Sequence, residues 1–167
     1  MNKPQAVVLM GVSGCGKTSV GTGLSEILGW PFYDGDDYHP QANIHKMSAG
    51  IPLTDEDRFP WLDGLHKLIV RDLSEGRSLI VACSALKADY RRILEGGRGD
   101  VLFVFLEGSF ELIYNRMQER SEHYMKAGML RSQFDTLEQP EGALRISIDQ
   151  PVDKIVEEAA AEILKQE

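Results

Sequence analysis

The stretch "AVVLMGVSGCGKT", Ala6 to Thr18, decides the fold. Its first five residues, Ala6 to Met10, form a short continuous apolar run of the kind that makes a fully buried strand. Directly behind it, Gly11 to Thr18 satisfies G-x-x-x-x-G-K-[ST] in full. In such a loop the backbone N–H groups converge on phosphate oxygens, and the N-terminus of the next helix adds positive potential. The helix is supplied by "KTSVGTGLSEIL". Gly11, Val12, Ser13, Gly14, Cys15 and Gly16 are therefore expected to cradle phosphates. Lys17 should reach the β- and γ-phosphates of ATP, and Thr18 should place its hydroxyl on Mg²⁺. Cys15 sits among those N–H groups, so its thiol is expected to react with thiol reagents and to be protected by ATP.

Outward from this loop, further apolar runs stand at Pro31 to Asp34, Ser78 to Cys83, Val101 to Leu106 and Leu144 to Ile148. Helical periods separate them. The last is the clearest: Val152, Ile155, Val156, Ala159, Ala160, Ile163 and Leu164 recur at three- and four-residue steps and form one stripe. Thr54, with Asp57 three residues on, can cap a helix whose first turn lies near Pro60. Short apolar strands alternating with helices indicate an α/β fold, a parallel sheet covered on both faces. The polar segment from Ser121 to Pro140 reads as a mobile flap outside the core.

Size and charge narrow the options. At 167 residues the chain fits one domain, 1–167. Its 43% hydrophobic content is that of a globular protein, and no apolar run approaches the length of a membrane span. A net charge of −8 argues against a nucleic-acid surface. Two cysteines, Cys15 and Cys83, are too few for a disulfide framework, and with no signal peptide in view a cytoplasmic location is expected.

The acids separate the kinds of phosphate-loop protein. Neither N-K-x-D nor D-x-x-G occurs, so a GTPase switch is not indicated. The apolar run at Ser78 ends in Cys83 and Ser84 instead of the acid that holds the metal in motor and transport ATPases. Glu107, after "VLFVFL", is one candidate metal acid; Asp34, closing the second apolar run, is the preferred one, as a metal-water ligand. Behind it, "DGDDYH" offers Asp36 to orient an acceptor hydroxyl and take its proton late in transfer, with Asp37 exposed. The alternative is a turn in which these aspartates bond nearby N–H groups. His39 and His45 lack zinc spacing and suit hydrogen bonding in a substrate loop. Trp61 and Phe59 suit core packing.

Four blocks, "GVSGCGKT", "FYDGDDYHPQANIHKMSAGIPLTDEDRFPWL", "CSALKADYRRIL" and "LRSQFDTLEQP", together resemble the gluconate kinases, small sugar-acid kinases similar in fold to shikimate and nucleoside monophosphate kinases. The resemblance covers nearly the whole chain. It implies a three-layer P-loop kinase fold with a five-stranded parallel sheet, a lid at 121–140, and a homodimer. It also implies transfer of the ATP γ-phosphate to the 6-hydroxyl of D-gluconate with Mg²⁺.

Gluconate carries a carboxylate, which calls for a fixed cation. The resemblance to shikimate kinase puts a substrate arginine in the region of Arg58, whose competing use is an ion pair with Asp55. Lys87 and Arg91, four residues apart, are expected on one helix face holding the sugar acid or the transferred phosphate, with Arg92 solvated. Arg116 and Arg120 repeat that spacing beside the flap, and in related kinases an arginine there covers the phosphates as the lid closes. Arg120 is the preferred one, with Arg131 as a possible companion. By resemblance the adenine lies against Asp149 to Val152. A kinase for another small acid or nucleotide, and a regulatory module driven by its ATP cycle, are the competing functions.

Overall fold

The computed structural model describes residues 3–119 and 127–166. Five strands form one parallel sheet in the order β2-β3-β1-β4-β5: β1 Ala6–Met10, β2 Phe32–Asp34, β3 Leu79–Ala82, β4 Val101–Glu107 and β5 Leu144–Ser147. Helices α1 Lys17–Leu28, α2 Gln41–Ser48, α3 Asp55–Ser74, α4 Ala88–Glu95, α5 Phe110–Glu119, α6 Ala127–Thr136 and α7 Val152–Leu164 connect or follow them. The three-layer α/β architecture expected from the apolar runs is therefore present, with strand ends shifted by about a residue.

Alternation along β1 divides the core. Val7 and Leu9 face a cluster built with Val20 and Leu24 of α1, Ile113 of α5, and Ile155, Ala159 and Ile163 of α7. Ala6, Val8 and Met10 face the other side, against Leu62, Leu65 and Ile69 of α3 and Tyr90 and Leu94 of α4. Each helix is amphipathic toward one face of a strand set buried on both. In α7 the stripe is buried from Ile155 to Ile163, while its end members Val152 and Leu164 lie exposed.

Thr54 caps α3 as its sequence indicates. Its hydroxyl accepts the Asp57 N–H at 3.1 Å, and the Asp57 carboxylate accepts the Thr54 N–H at 2.9 Å. Pro60 lies deeper than the first turn, because the helix begins at Asp55. It removes one bond to the Glu56 carbonyl, which a helix packed through Leu62, Leu65 and Ile69 tolerates.

The strands run parallel, so their C-terminal ends share one edge, and a doubly wound sheet binds ligands there. That edge carries the phosphate loop after β1, the acidic turn after β2, Cys83 to Lys87 after β3, and Glu107 at the end of β4.

Candidate active site

The phosphate loop owes its shape to backbone freedom at Gly16. This residue caps α1 with φ 100°, a conformation L side chains rarely take, and it turns the chain from loop to helix. Lys17 folds back across the loop, its Nζ donating to Gly11 O at 2.9 Å and Val12 O at 3.1 Å. The ammonium is thus fixed over the mouth by the loop it serves. Ile113 and Met117 of α5, both buried, pack against Gly14, which brings the neighbouring Arg116 to this end of the molecule. Cys15 departs from expectation. Its backbone belongs to the loop, but its side chain is only 2% exposed and sits in the core with Val12 and Val20. Burial shields the thiol from reagents, so the expected labelling is withdrawn. Cys83 is also buried, and desolvation pushes its thiol up to about 12.

Asp34 joins the loop to the acidic turn. Its Oδ2 accepts the Thr18 hydroxyl at 3.1 Å, and its Oδ1 accepts the Asp36 N–H at 3.0 Å. β2 is one strand removed from β1, yet the start of α1 leans far enough over β3 for this contact. The turn is drawn close because residue 35 is glycine: a Cβ there would lie 2.4 Å from the Ala82 carbonyl of β3. Trp61 Nε1 also donates to Gly35 O at 2.8 Å, and its indole stacks on His39 with ring centroids 4.1 Å apart. Trp61 is accordingly core. Phe59 is not: at 39% exposure it lies on the outer side of α3.

Asp36 carries the clearest electrostatic signature here. Its surface is open to solvent, yet the protein crowded around it raises its carboxyl pKa by partial desolvation first and the Asp34 charge raises it further, while Lys17 and His39 pull it down. His39 in turn has its pKa lowered by burial, raised by Asp36 and lowered by Arg58. Asp36 and His39 share the turn after β2, and His39 stacks on Trp61, one helical turn beyond Arg58 on α3. Glu107, the other metal candidate, is engaged by Arg145 at 2.7 Å.

Beyond Arg58 stands a cluster of opposite charges. Arg58 donates to Leu53 O at 2.8 Å and to the Tyr90 hydroxyl at 3.4 Å. It is Lys87, not Arg58, that pairs with Asp55. Lys87 and Arg91 do not share a helix face, because Lys87 is the extended residue preceding α4. Arg91 is buried and donates to Ala85 O at 2.7 Å and Glu138 O at 3.0 Å. Its guanidinium clamps backbone, pinning Ala85, a non-glycine residue at φ 47°.

Residues 13–166 match the family described as Shikimate kinase. The chain is 45% identical to "Probable gluconokinase" of Rattus norvegicus, with 99% of this chain and 100% of that protein covered. It is 42% identical to "Thermosensitive gluconokinase" of Escherichia coli K12, covering 96% of this chain and 88% of that one. The chain belongs to the gluconokinase family. A crystal structure of a gluconokinase from Sinorhizobium meliloti 1021 superposes with TM-score 0.89 at 41% identity, covering 99% and 95% of the two chains. This member is thus a kinase built on the shikimate kinase fold.

The gluconokinase chain uses part of the expected flap as structure. Ala127–Thr136 is helix α6, and Leu130, fully buried, belongs to the core. Gln133 faces the phosphate loop: its Oε1 accepts the Ser13 N–H at 2.7 Å, and its Nε2 donates to Ser13 Oγ at 2.8 Å. No local sequence signal pairs residues 120 apart, and this contact was not anticipated. Tyr90 and Glu138 were likewise missed; Glu138 accepts the Ala88 N–H at 2.7 Å and so ties the start of α4 to the end of the α6 segment. Arg131 of α6 lies over the Phe110 ring at 3.7 Å, engaged by an aromatic face. Arg120 lies outside the described residues. The loop at Asp149–Val152 joins β5 to α7, with Pro151 as helix cap.

Proposed function

We propose that the chain transfers the γ-phosphoryl group of ATP to the 6-hydroxyl of D-gluconate, forming 6-phospho-D-gluconate and ADP. The observation that carries this reading is the link from the phosphate loop to Asp36: Thr18 bonds Asp34, and Asp34 holds the Asp36 N–H, leaving the solvent-accessible Asp36 carboxylate beside the loop. Gly11 to Gly16 offer backbone N–H groups to the phosphates, and Lys17 and Arg116 offset the charge that shifts toward the leaving ADP. Thr18 and Asp34 present hard oxygen donors, which fit Mg²⁺, with Asp34 acting through water. The ion would draw charge from the β- and γ-phosphate oxygens.

Asp36 holds the acceptor hydroxyl and takes its proton late, as the new O–P bond forms and the bond from γ-phosphorus to the bridging oxygen breaks. Arg58 and Lys87 lie on the acceptor side and attract the sugar acid's carboxylate. Arg91 supports that wall through Ala85 rather than touching substrate. Arg120 belongs to the lid in this reading, with the expected lid segment 121–140 anchored on a single catalytic domain by the buried Leu130 of α6. The adenine rests near Asp149 to Val152. The reading includes a homodimer, on the strength of the family resemblance, and a cytoplasmic location, for which two free buried cysteines speak. No helix among the described residues is long and apolar enough to cross a membrane.

The test is an ADP-release assay over gluconate, other sugar acids, shikimate and nucleoside monophosphates. Gluconate should stimulate release most strongly. If gluconate fails to raise ADP formation above the rate in water, the proposal is wrong.

A further inference from the structure

Lys87, one of the two cations on the acceptor side, already holds an anion, and Arg58 stands beside it through the Tyr90 hydroxyl. Asp55, the first residue of α3, takes Lys87 Nζ at 3.2 and 3.3 Å on its two oxygens and the Tyr90 hydroxyl at 2.5 Å. Tyr90 has a single proton, and it is spent on Asp55. Arg58 and Lys87 both lie near the face of the same phenol, at 5.7 and 5.6 Å from its centroid. A lysine, a phenol and an arginine gathered this way form a site for one carboxylate, and a protein carboxylate fills it.

We infer that Asp55 is a specificity-determining residue: an internal carboxylate that competes with the sugar acid's own carboxylate for Lys87 and Tyr90. The inference rests on the proposed acceptor and extends it. The cluster adjoins the reacting end, because His39, three residues after Asp36, stacks on Trp61, one helical turn from Arg58 on α3. Asp55 and Lys87 are 43% and 35% exposed, so their pair is a surface pair that a substrate can displace at small cost. Asp55 is also held by the N-terminus of α3, where an acid is favoured whether or not Lys87 is bound. It can therefore release the lysine without losing its place. With Asp55 ionised, Arg58 and Lys87 leave one net positive charge, enough for a monoanion. A polyol without a carboxylate gains nothing from that charge.

The experiment compares the wild-type kinase with Asp55→Asn and Asp55→Ser, both acceptable at the start of a helix. Gluconate Kd is read by calorimetry and gluconate KM by ADP release, with D-glucitol as a competing neutral polyol. Removing the internal anion should lower gluconate Kd and KM about fivefold or more, with glucitol inhibition unchanged. Melting curves confirm that each variant is folded, and the serine variant serves if the asparagine one is not. Unchanged or weaker gluconate binding overturns the inference, as does equal tightening for glucitol, which would indicate added space instead of removed charge. If the wild-type protein does not turn over gluconate, the acceptor reading itself fails. If it does and the variants bind no more tightly, only the role of Asp55 fails.

Discussion

Gln133 holds both polar groups of Ser13, accepting its N–H at 2.7 Å and donating to its hydroxyl at 2.8 Å. One amide thus fastens α6 to the third residue of the phosphate loop. The bonds are local in space and 120 residues apart in sequence, so they form only after β1 and α6 have found their places. The nucleotide loop is thereby in direct contact with α6, inside the expected lid segment.

Gln133→Ala should release that contact. Two neutral hydrogen bonds at roughly 0.5–1.5 kcal/mol each imply a stability loss of about 1–3 kcal/mol. The amides of 127–136 should exchange faster than in the wild type, and KM for ATP should rise several-fold. Hydrogen exchange by mass spectrometry reads the first effect and initial rates the second. Unchanged exchange across α6 would show that Leu130 alone seats the helix.

Asp36→Asn should abolish transfer while leaving ATP binding measurable. Its effect on stability has the opposite sign. The folded carboxyl has a raised pKa, so ionising it costs stability, and the cost is fully present above the folded pKa and absent below the unfolded value. Asparagine carries no such charge. The variant should therefore melt higher than wild type at neutral pH, and the difference should shrink as pH falls toward the carboxylate range. An inactive variant that melts lower at pH 7 would contradict the electrostatic account.

The first of these contacts was hidden from sequence, and the second half visible. The phosphate loop was legible because its motif is contiguous and its strand and helix flank it directly. The Thr54 capping box was legible for the same reason, as was the two-faced core from runs such as Ala6 to Met10. What stayed hidden depended on burial or long separation. Cys15 is in the loop by sequence but in the core by the turn at Gly16. Arg91 shares spacing with Lys87, yet the break between them at the start of α4 sends one to Asp55 and the other to backbone carbonyls. Phe59 and Trp61 are two apart on one helix, and only the stack on His39 tells which points inward.

Asp34→Asn should separate metal handling from folding. The amide keeps an oxygen for the Asp36 N–H, but it loses the charge that would hold a magnesium-bound water. Half-saturating Mg²⁺ should rise ten-fold or more in initial-rate assays at fixed ATP, with little change in melting temperature. Glu107→Gln should shift it far less, since Glu107 is paired with Arg145. The reverse ranking would move the metal role to the end of β4.

Asp72 tests the frame beneath the acidic turn. It is fully buried, and its carboxylate takes the Tyr33 hydroxyl at 2.7 Å, Arg71 Nε at 3.1 Å and Arg77 Nη2 at 2.8 Å. Burial alone would raise its pKa, but the bonds from Tyr33, Arg77 and Arg71 outweigh it and the net shift is downward. A depressed folded pKa means stability present above the unfolded carboxylate value and lost as pH falls through the folded one. Asp72→Ala leaves the Tyr33 hydroxyl and two guanidinium groups without this acceptor. The arginines can still reach water, so the cost should be about 2 kcal/mol rather than that of a sealed ion pair. Tyr33 immediately precedes Asp34 on β2, so the substitution should also raise the Mg²⁺ requirement slightly, through position and not charge. Urea melts at pH 7 and pH 3 read the stability term: the gap between wild type and variant should be narrower at pH 3, below the unfolded carboxylate value. A gap that stays constant would mean that Asp72 acts through packing volume, with its charge contributing nothing.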